Sequence, residues 1–333
     1  MIEGTTVSVL CMNKPDTLLV TIKTLHETLV EPFEVILVDN GSTDPATIRM
    51  IDAQRAHGWT VIRNETNLGL SVGTNQGLAA GKFDCLIHLD DDCLIQQRGW
   101  NQTLKNYFRF PEIGMVVPGV NGEFLQHDGY VELRWAMGMC WGIRKSLFDN
   151  IGGYDPQLYH QNECDMALRV RMAGFRLAGI SDFYAHHNDP GGSKSDIAAA
   201  REHLGCVQFR DKWCHYFRGR DWNYGTMPLY LMQHWPPDQE FLRKFALQNG
   251  VDLNPCPVDN GGPGFQDTWN AIDAWAGVQK IPVAGTLYCI YRELRNDYAH
   301  WEQTTAYAED RQRAINRWAD LTGETYTDYK WVH

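Results

Sequence analysis

Three consecutive aspartates, Asp90, Asp91 and Asp92, directly follow the short apolar run at residues 85–89. Such a run is typical of a buried strand in a parallel sheet. The carboxyl ends of parallel strands form the crevice in which α/β folds bind ligands. Oxygen-rich sites suit hard divalent cations, which also bind phosphate oxygens. The aspartates therefore indicate a metal–diphosphate site, although a solvated acidic turn or a helix cap uses the same residue types.

The segments around the aspartates predict strands that alternate with helices. Strands are expected at residues 6–12, 34–39, 60–63, 85–89 and 111–118, and helices at 100–110 and 163–173. Pro15 opens a helix after the first strand, and Asp44 and Pro45 can cap and open the next one. Alternation with short connections is characteristic of an α/β fold with a mostly parallel sheet.

The composition limits the class of protein. The chain has 333 residues, 44% of them hydrophobic, and a net charge of −11. It is therefore globular, and its acidity disfavours general binding to nucleic acid or to an anionic membrane. No apolar run approaches the roughly 20 residues of a transmembrane helix, and a strand begins almost at once, so no signal peptide is predicted. The nine cysteines show no CxxC spacing, which favours reduced thiols and a cytoplasmic location.

Four motifs in order resemble glycosyltransferase family 2. They are VDNGSTD at residues 38–44, NxxNLG at 64–69, GTNQG at 73–77 and LDDD at 89–92, and the likeness covers about residues 5–195. The resemblance implies inverting enzymes with a Rossmann-like GT-A fold, in which helices flank a mostly parallel sheet. It also implies a nucleotide-sugar donor, with a UDP-sugar expected, and a divalent ion, Mn²⁺ or Mg²⁺.

The resemblance also implies donor-binding residues. Asp39 then contacts the nucleoside. By their own chemistry, the amides of Asn67 and Asn75 can donate or accept at the base and ribose, although Asn67 equally suits turn chemistry. Trp141 is expected to stack on the sugar, with a core strand as the alternative. The glycine-rich loop that ends at Ser193 can present N–H groups to the diphosphate.

The metal ligands are expected among the aspartates and a histidine pair. The family match places either Asp91 and Asp92 or Asp90 and Asp92 near the ribose and the metal. We favour Asp90 on the ribose side and Asp92 on the metal. His186 and His187 resemble the family's metal-binding histidine, and on a strand only one of them faces the site. We favour His187.

A general base is expected at the start of the helix at 163–173. The family has a Glu-Asp-x-Asp pattern that ends four residues before an arginine, and Asp165 and Arg169 keep that spacing. The family's base then corresponds to Glu163, a longer acid than the usual aspartate, and Asp165 is the reserve. A carboxylate there can take the proton of an acceptor hydroxyl.

The chain after residue 200 carries no resemblance. We predict a GT-A domain at 1–200, with a nucleotide-binding half at about 1–93 and an acceptor half at about 94–200. A helical, aromatic-rich extension at 201–333 would bind the acceptor or form a homodimer, and steps of three and four predict one long helix or a helical pair at 287–321.

The sequence leaves the acceptor open. A saccharide or glycan is the family's default acceptor. A hydroxylated DNA base, held by aromatic and arginine residues at 209–235, is an alternative that the acidic net charge disfavours. A catalytically inactive nucleotide-sugar-binding module is a second alternative, which the aspartates, the histidine pair and the acid at 163 disfavour.

Overall fold

The computed structural model describes residues 3–120, 124–133, 136, 138–188, 195–219 and 304–326. The chain divides into two compact units. Unit 1 comprises Met1–Pro156 and Asn162–Gly192, and unit 2 comprises Gln157–Gln161 and Ser193–His333. The domain boundaries expected from the sequence remain predictions.

Most described strands of unit 1 form one sheet. The strands are β1 (Thr5–Cys11), β2 (Phe33–Asn40), β3 (Thr60–Asn64), β4 (Cys85–Asp90), β5 (Cys93–Leu94), β6 (Ile113–Pro118), β7 (Phe124–His127), β8 (Tyr130–Leu133), β9 (Cys140–Arg144), β10 (Arg176–Ile180) and β11 (His186–His187). Their order in the large sheet is β3-β2-β1-β4-β9-β6-β10-β8-β7. The strands β1 to β4 are mutually parallel, as predicted, whereas β9 runs antiparallel between β4 and β6.

Helices cover both faces of this sheet. The helices of unit 1 are α1 (Pro15–Thr28), α2 (Pro45–Ala53), α3 (Leu70–Ala79), α4 (Trp100–Asn106), α5 (Lys145–Ile151) and α6 (Asn162–Met172). The buried residues of α1 and α4 join one apolar cluster, and those of α3, α5 and α6 join another. Alternate residues of the central strands supply the two clusters, for example Ile87 to the first and Leu86 to the second. The predicted α/β architecture with helices on both faces is confirmed.

The helix starts follow the sequence signals. Pro15 is the first residue of α1, whose residues Leu18, Ile22 and Leu25 are buried at helical spacing. Asp44 caps α2 through its Oδ2, which accepts a hydrogen bond from the backbone N–H of Thr47 at 2.7 Å. Both features were predicted.

Unit 2 contains the helices α7 (Asp196–Gly219) and α8 (Thr304–Thr322). The two helices pack through an apolar cluster that includes Leu204, Val207 and Trp318. Residues 220–303 lie outside the described residues, so the helix predicted at 287–321 is seen only from Thr304 onward. In the described parts of the chain, no helix has the length and apolar character needed to cross a bilayer.

Candidate active site

The three aspartates lie where the central strand β4 ends. Asp90 is the last residue of β4, and the chain turns through Asp91 and Asp92 into the short strand β5. Strand β5 pairs antiparallel with β11, which sets His187 opposite Cys93, and the N–H of Asn188 donates to the carbonyl oxygen of Asp92 at 2.6 Å. This pairing brings a segment from the end of unit 1 beside the acidic turn.

Asp90, Asp92 and His187 form a group that can hold a metal ion, which we call the Asp–Asp–His cluster. Each residue offers one ligand atom, and these atoms lie within 4.8 Å of one another. Two carboxylates with an imidazole are a donor set suited to a divalent ion such as Mn²⁺. Asp90, which we expected on the ribose side, is thus a possible ligand. His186 is outside the cluster, because neighbouring residues of a strand point to opposite faces.

Neighbouring side chains shift the pKa values of Asp90 and His187. Nε2 of His88 lies 3.0 Å from Oδ1 of Asp90, and Nζ of Lys14 lies 3.0 Å from Oδ2 of Asp92. Burial raises the pKa of Asp90, but the contacts with His187 and His88 outweigh burial and lower its pKa overall. The Asp90 carboxylate, 3.9 Å away, raises the pKa of His187 against the effect of burial. The cluster therefore favours a charged carboxylate at Asp90.

Asp91, predicted as a donor-binding residue, is buried beside β1. One of its carboxylate oxygens, Oδ2, accepts a hydrogen bond from the backbone N–H of Met12 at 3.4 Å. Its carbonyl oxygen accepts another from the hydroxyl of Thr21 at 2.8 Å. Burial raises the pKa of Asp91 to about 7, with smaller contributions from the charges of its neighbouring aspartates. The pKa of Asp91 is thus raised where that of Asp90 is lowered, so these two aspartates differ in ionisation.

Glu163 lies in the first turn of α6 with a partly buried side chain. Its Oε1 accepts a hydrogen bond from the hydroxyl of Tyr154 at 3.0 Å. The carboxylate also packs against the backbone of Gly138, where an added Cβ would lie 2.7 Å from Oε1. Within the described residues, Oε2 of Glu163 has no hydrogen-bond partner. One oxygen of this acid is thus held, and the other is available to an incoming group.

Tyr154 is fixed from three sides. The indole N–H of Trp141 donates to its hydroxyl oxygen at 2.6 Å. The side-chain amide of Asn75 bonds both its backbone N–H and its carbonyl oxygen, each at 2.7 Å. The ring of His88 lies 6.0 Å from the Tyr154 ring, between centroids. Through His88 and Tyr154, the Asp–Asp–His cluster and Glu163 are therefore connected by adjoining buried side chains.

These contacts weigh against three of the roles expected from the sequence, which remain predictions. Trp141 is entirely buried, so its ring faces the core and does not present a surface for stacking on a sugar. The amide of Asn75 is occupied by the backbone of Tyr154, which does not agree with a contact to the base or ribose. Asp165 is also entirely buried and pairs with Arg169 at 2.8 Å, so it is a poor reserve base.

The predicted nucleoside residues lie at the end of β2 and in the loop before α3. Asp39 is buried, and its two oxygens accept from the N–H of Ser42 and from Nε of Arg63, at 2.9 and 2.8 Å. Asn67 is exposed, and its Oδ1 accepts from Nδ2 of Asn40 at 2.9 Å. Ser193, like the glycine-rich loop before it, lies outside the described residues. The donor roles of these residues remain predictions.

Three residues of the site were not singled out by sequence reasoning. His88 is the single polar residue within the apolar run at 85–89, and that position in a buried strand was the available signal. Lys14 stands directly before Pro15, at the end of the loop that follows β1. Tyr154 follows two glycines, but nothing in the sequence shows which acid its hydroxyl reaches.

The sheet order, with an acidic turn at the end of β4 and helices on both faces, has the architecture of GT-A glycosyltransferases. Residues 6–171 match the family described as Glycosyl transferase family 2. The chain therefore belongs to glycosyltransferase family 2, as its four motifs indicated.

Solved structures share this fold at low sequence identity. A mannosyltransferase of Pyrobaculum calidifontis, PcManGT, solved with GDP-Man and Mn²⁺, has a TM-score of 0.55 and 17% identity. The match covers 96% of this chain and 87% of that one. GalNAc-T7, solved with UDP, GalNAc and Mn²⁺, has a TM-score of 0.55 and 16% identity, with 75% and 55% coverage. At these identities the likeness establishes the fold alone.

Curated relatives match over shorter stretches. The poly-beta-1,6-N-acetyl-D-glucosamine synthase of Staphylococcus aureus is 24% identical over 115 residues, which is 34% of this chain and 28% of that protein. The pre-mycofactocin glycosyltransferase of Mycobacterium tuberculosis is 27% identical over 176 residues, 45% of this chain and 36% of that protein. The chain thus spans only a minor part of the length of these relatives.

Proposed function

We propose that this glycosyltransferase moves a sugar from a nucleotide-sugar donor to a hydroxyl of a saccharide acceptor, with a divalent metal and with inversion at the anomeric carbon. The observation that carries the proposal is the pairing of two acidic sites in one unit. The Asp–Asp–His cluster offers metal ligands within 4.8 Å of one another, and Glu163 offers a carboxylate with one oxygen held. Two structural neighbours, solved with Mn²⁺ and with GDP-Man or UDP, support the same donor chemistry.

The donor would bind at the carboxyl ends of β1, β2 and β4. Asp90, Asp92 and His187 would hold the metal, which supplies positive charge to the departing diphosphate. The ammonium of Lys14, half-exposed beside Asp92, adds a second positive charge at the same edge. A UDP-sugar is the expected donor, and a GDP-sugar is the first alternative to test, because one structural neighbour was solved with GDP-Man.

Glu163 would act as the general base. Its Oε2 takes the proton as the acceptor's O–H bond breaks, and the acceptor oxygen forms a bond to the anomeric carbon. The bond between that carbon and the diphosphate oxygen breaks, and its electron pair leaves with the nucleoside diphosphate. Because attack and departure occur on opposite faces of the sugar, a single displacement inverts the configuration.

The first test is calorimetric titration of UDP, GDP, CDP and dTDP, with and without MnCl₂. We expect one nucleotide to bind in a Mn²⁺-dependent manner and Asp92→Ala to abolish that binding, because Asp92 supplies a carboxylate of the cluster. Binding that does not depend on Mn²⁺ would overturn the metal dependence. The absence of binding by any nucleotide under either condition would overturn the transferase proposal.

The second test separates catalysis from binding. Glu163→Gln should keep donor binding and lower transfer by about 10²- to 10⁴-fold, as for removal of a general base. The matched control is Glu112→Gln, since Glu112 also accepts a tyrosine hydroxyl, that of Tyr130 at 3.3 Å, but outside this site. Undiminished transfer by Glu163→Gln would refute the base assignment. A product of retained anomeric configuration, read by NMR, would refute the single displacement.

A further inference from the structure

We propose that Tyr154 is a positioning residue for Glu163, which fixes Oε1 and thereby directs Oε2 toward the acceptor hydroxyl. The proposal rests on the function proposed above. Tyr154 is 2% exposed, so it has almost no surface to offer a substrate. Its hydroxyl nevertheless donates to Glu163 at 3.0 Å, which is a contact with the proposed base.

The direction of this hydrogen bond follows from Trp141. An indole N–H can only donate, so it must use a lone pair of the Tyr154 oxygen, which it approaches at 2.6 Å. The tyrosine proton is then directed to its other partner, Oε1 of Glu163. Burial raises the pKa of Tyr154 well above its usual value, with a further contribution from the charge of Glu163, so the hydroxyl keeps its proton. Tyr154 is therefore a fixed donor.

The position of Glu163 also depends on Gly138, which has no side chain to occupy the space beside the carboxylate. The family pattern has an aspartate where this chain has Glu163, so the carboxylate here extends one methylene further. Gly138 leaves room for that extension, because a Cβ at this position would lie 2.7 Å from Oε1 and 2.9 Å from Cδ. Tyr154 and Gly138 thus define one location for the longer acid.

The backbone of Tyr154 is held independently of its hydroxyl. Asn75 bonds both its N–H and its carbonyl oxygen at 2.7 Å. Replacement of the tyrosine by phenylalanine removes the hydroxyl and leaves the ring and these backbone bonds in place. The substitution therefore removes the hydrogen bond to Glu163, together with the one from the indole N–H of Trp141, and leaves the packing around the ring in place.

The experiment measures kcat and donor KM for Tyr154→Phe and for Tyr130→Phe. Tyr130 is the matched control, because its hydroxyl also donates to a glutamate, Glu112, at 3.3 Å. We expect Tyr154→Phe to lower kcat about tenfold or more with donor KM unchanged, since a misplaced catalytic group costs rate rather than donor affinity. Tyr130→Phe should leave both constants unchanged. A change in donor KM with unchanged kcat would overturn the proposal.

The same substitution made in a Glu163→Asp variant tests whether Tyr154 acts through Glu163. In Glu163→Asp the carboxylate is one methylene shorter and no longer reaches Tyr154, so adding Tyr154→Phe should then cost less than about twofold. An equal loss in both backgrounds would overturn the positioning role. Complete absence of transfer by the unmodified protein, with every donor, would instead overturn the proposed function.

Gly138→Ala gives a variant that leaves the tyrosine untouched. The backbone of Gly138 lies outside the left-handed region, so alanine is compatible with its conformation. The new methyl would displace the carboxylate from Tyr154, and kcat should again fall about tenfold with donor KM unchanged. Unchanged kcat in this variant would overturn the placement of Glu163, even if Tyr154→Phe did not fold.

Discussion

His88→Phe should weaken Mn²⁺ binding about ten- to hundredfold, because it removes a residue that orients a metal ligand. His88 is 1% exposed, and its Nε2 lies 3.0 Å from Oδ1 of Asp90. Its ring packs against Trp141, with 5.3 Å between centroids. Phenylalanine keeps a ring of similar size in that position and deletes the hydrogen bond. The change therefore isolates the support that His88 gives to Asp90.

The magnitude follows from that one hydrogen bond. A bond to a charged group contributes about 1.5–3 kcal/mol, and about 1.4 kcal/mol corresponds to a tenfold change in affinity. The free energy of unfolding should change less, by about 1 kcal/mol or under, for two reasons. Water can reach Asp90, whose side chain is 32% exposed. The substitution also removes Nδ1 of His88, a buried nitrogen without a hydrogen-bond partner among the described residues.

Calorimetric titration of MnCl₂ into the unmodified protein and the variant checks this prediction. His127→Phe is the matched control, because its Nε2 lies 2.9 Å from Oε2 of Glu132, away from the Asp–Asp–His cluster. The control should keep the Mn²⁺ affinity of the unmodified protein. An affinity of His88→Phe within about twofold of the unmodified value would refute the reasoning, as would an equal loss in the control.

Two other changes test the surroundings of the site. Asn75→Ala should lower the free energy of unfolding by about 2–4 kcal/mol, because it leaves the backbone N–H and carbonyl of Tyr154 without their partners. Urea titrations measure this change, and a loss under about 0.5 kcal/mol would contradict the prediction. Lys14→Met should tighten Mn²⁺ binding about two- to fivefold without nucleotide, since its half-exposed ammonium competes for Asp92. Lys23→Met, at an exposed position of α1, should leave that affinity unchanged. Weaker binding by Lys14→Met would contradict the competition.

The parallel half of the fold was predictable because buried parallel strands are continuous apolar runs. The segments that became β1, β2 and β4 contain such runs, and Asp44 and Pro45 marked the start of α2. The insertion of β9 between β4 and β6 was not predictable in the same way. Strand order depends on contacts between distant segments, and the local pattern of β9 is equally that of any core strand.

The sequence was more informative about residue types than about their orientation. It drew attention to Asp92 and His187, which the structure brings within reach of one ion. It could not show that Trp141 faces the core or that Asn75 is occupied by a neighbouring backbone, because a side chain's partners depend on tertiary packing. His88 was overlooked because a single polar residue in an apolar run gives no indication of its partner.

The close packing of Glu163 on Gly138 also constrains how this sequence can change over evolutionary time. With glutamate at 163, a larger residue at 138 must displace the end of the Glu163 side chain. An aspartate at 163 would withdraw from that contact and release position 138. The two positions are therefore coupled: glutamate at 163 keeps its contact with Tyr154 when position 138 is glycine, whereas aspartate at 163 leaves room for a larger residue there.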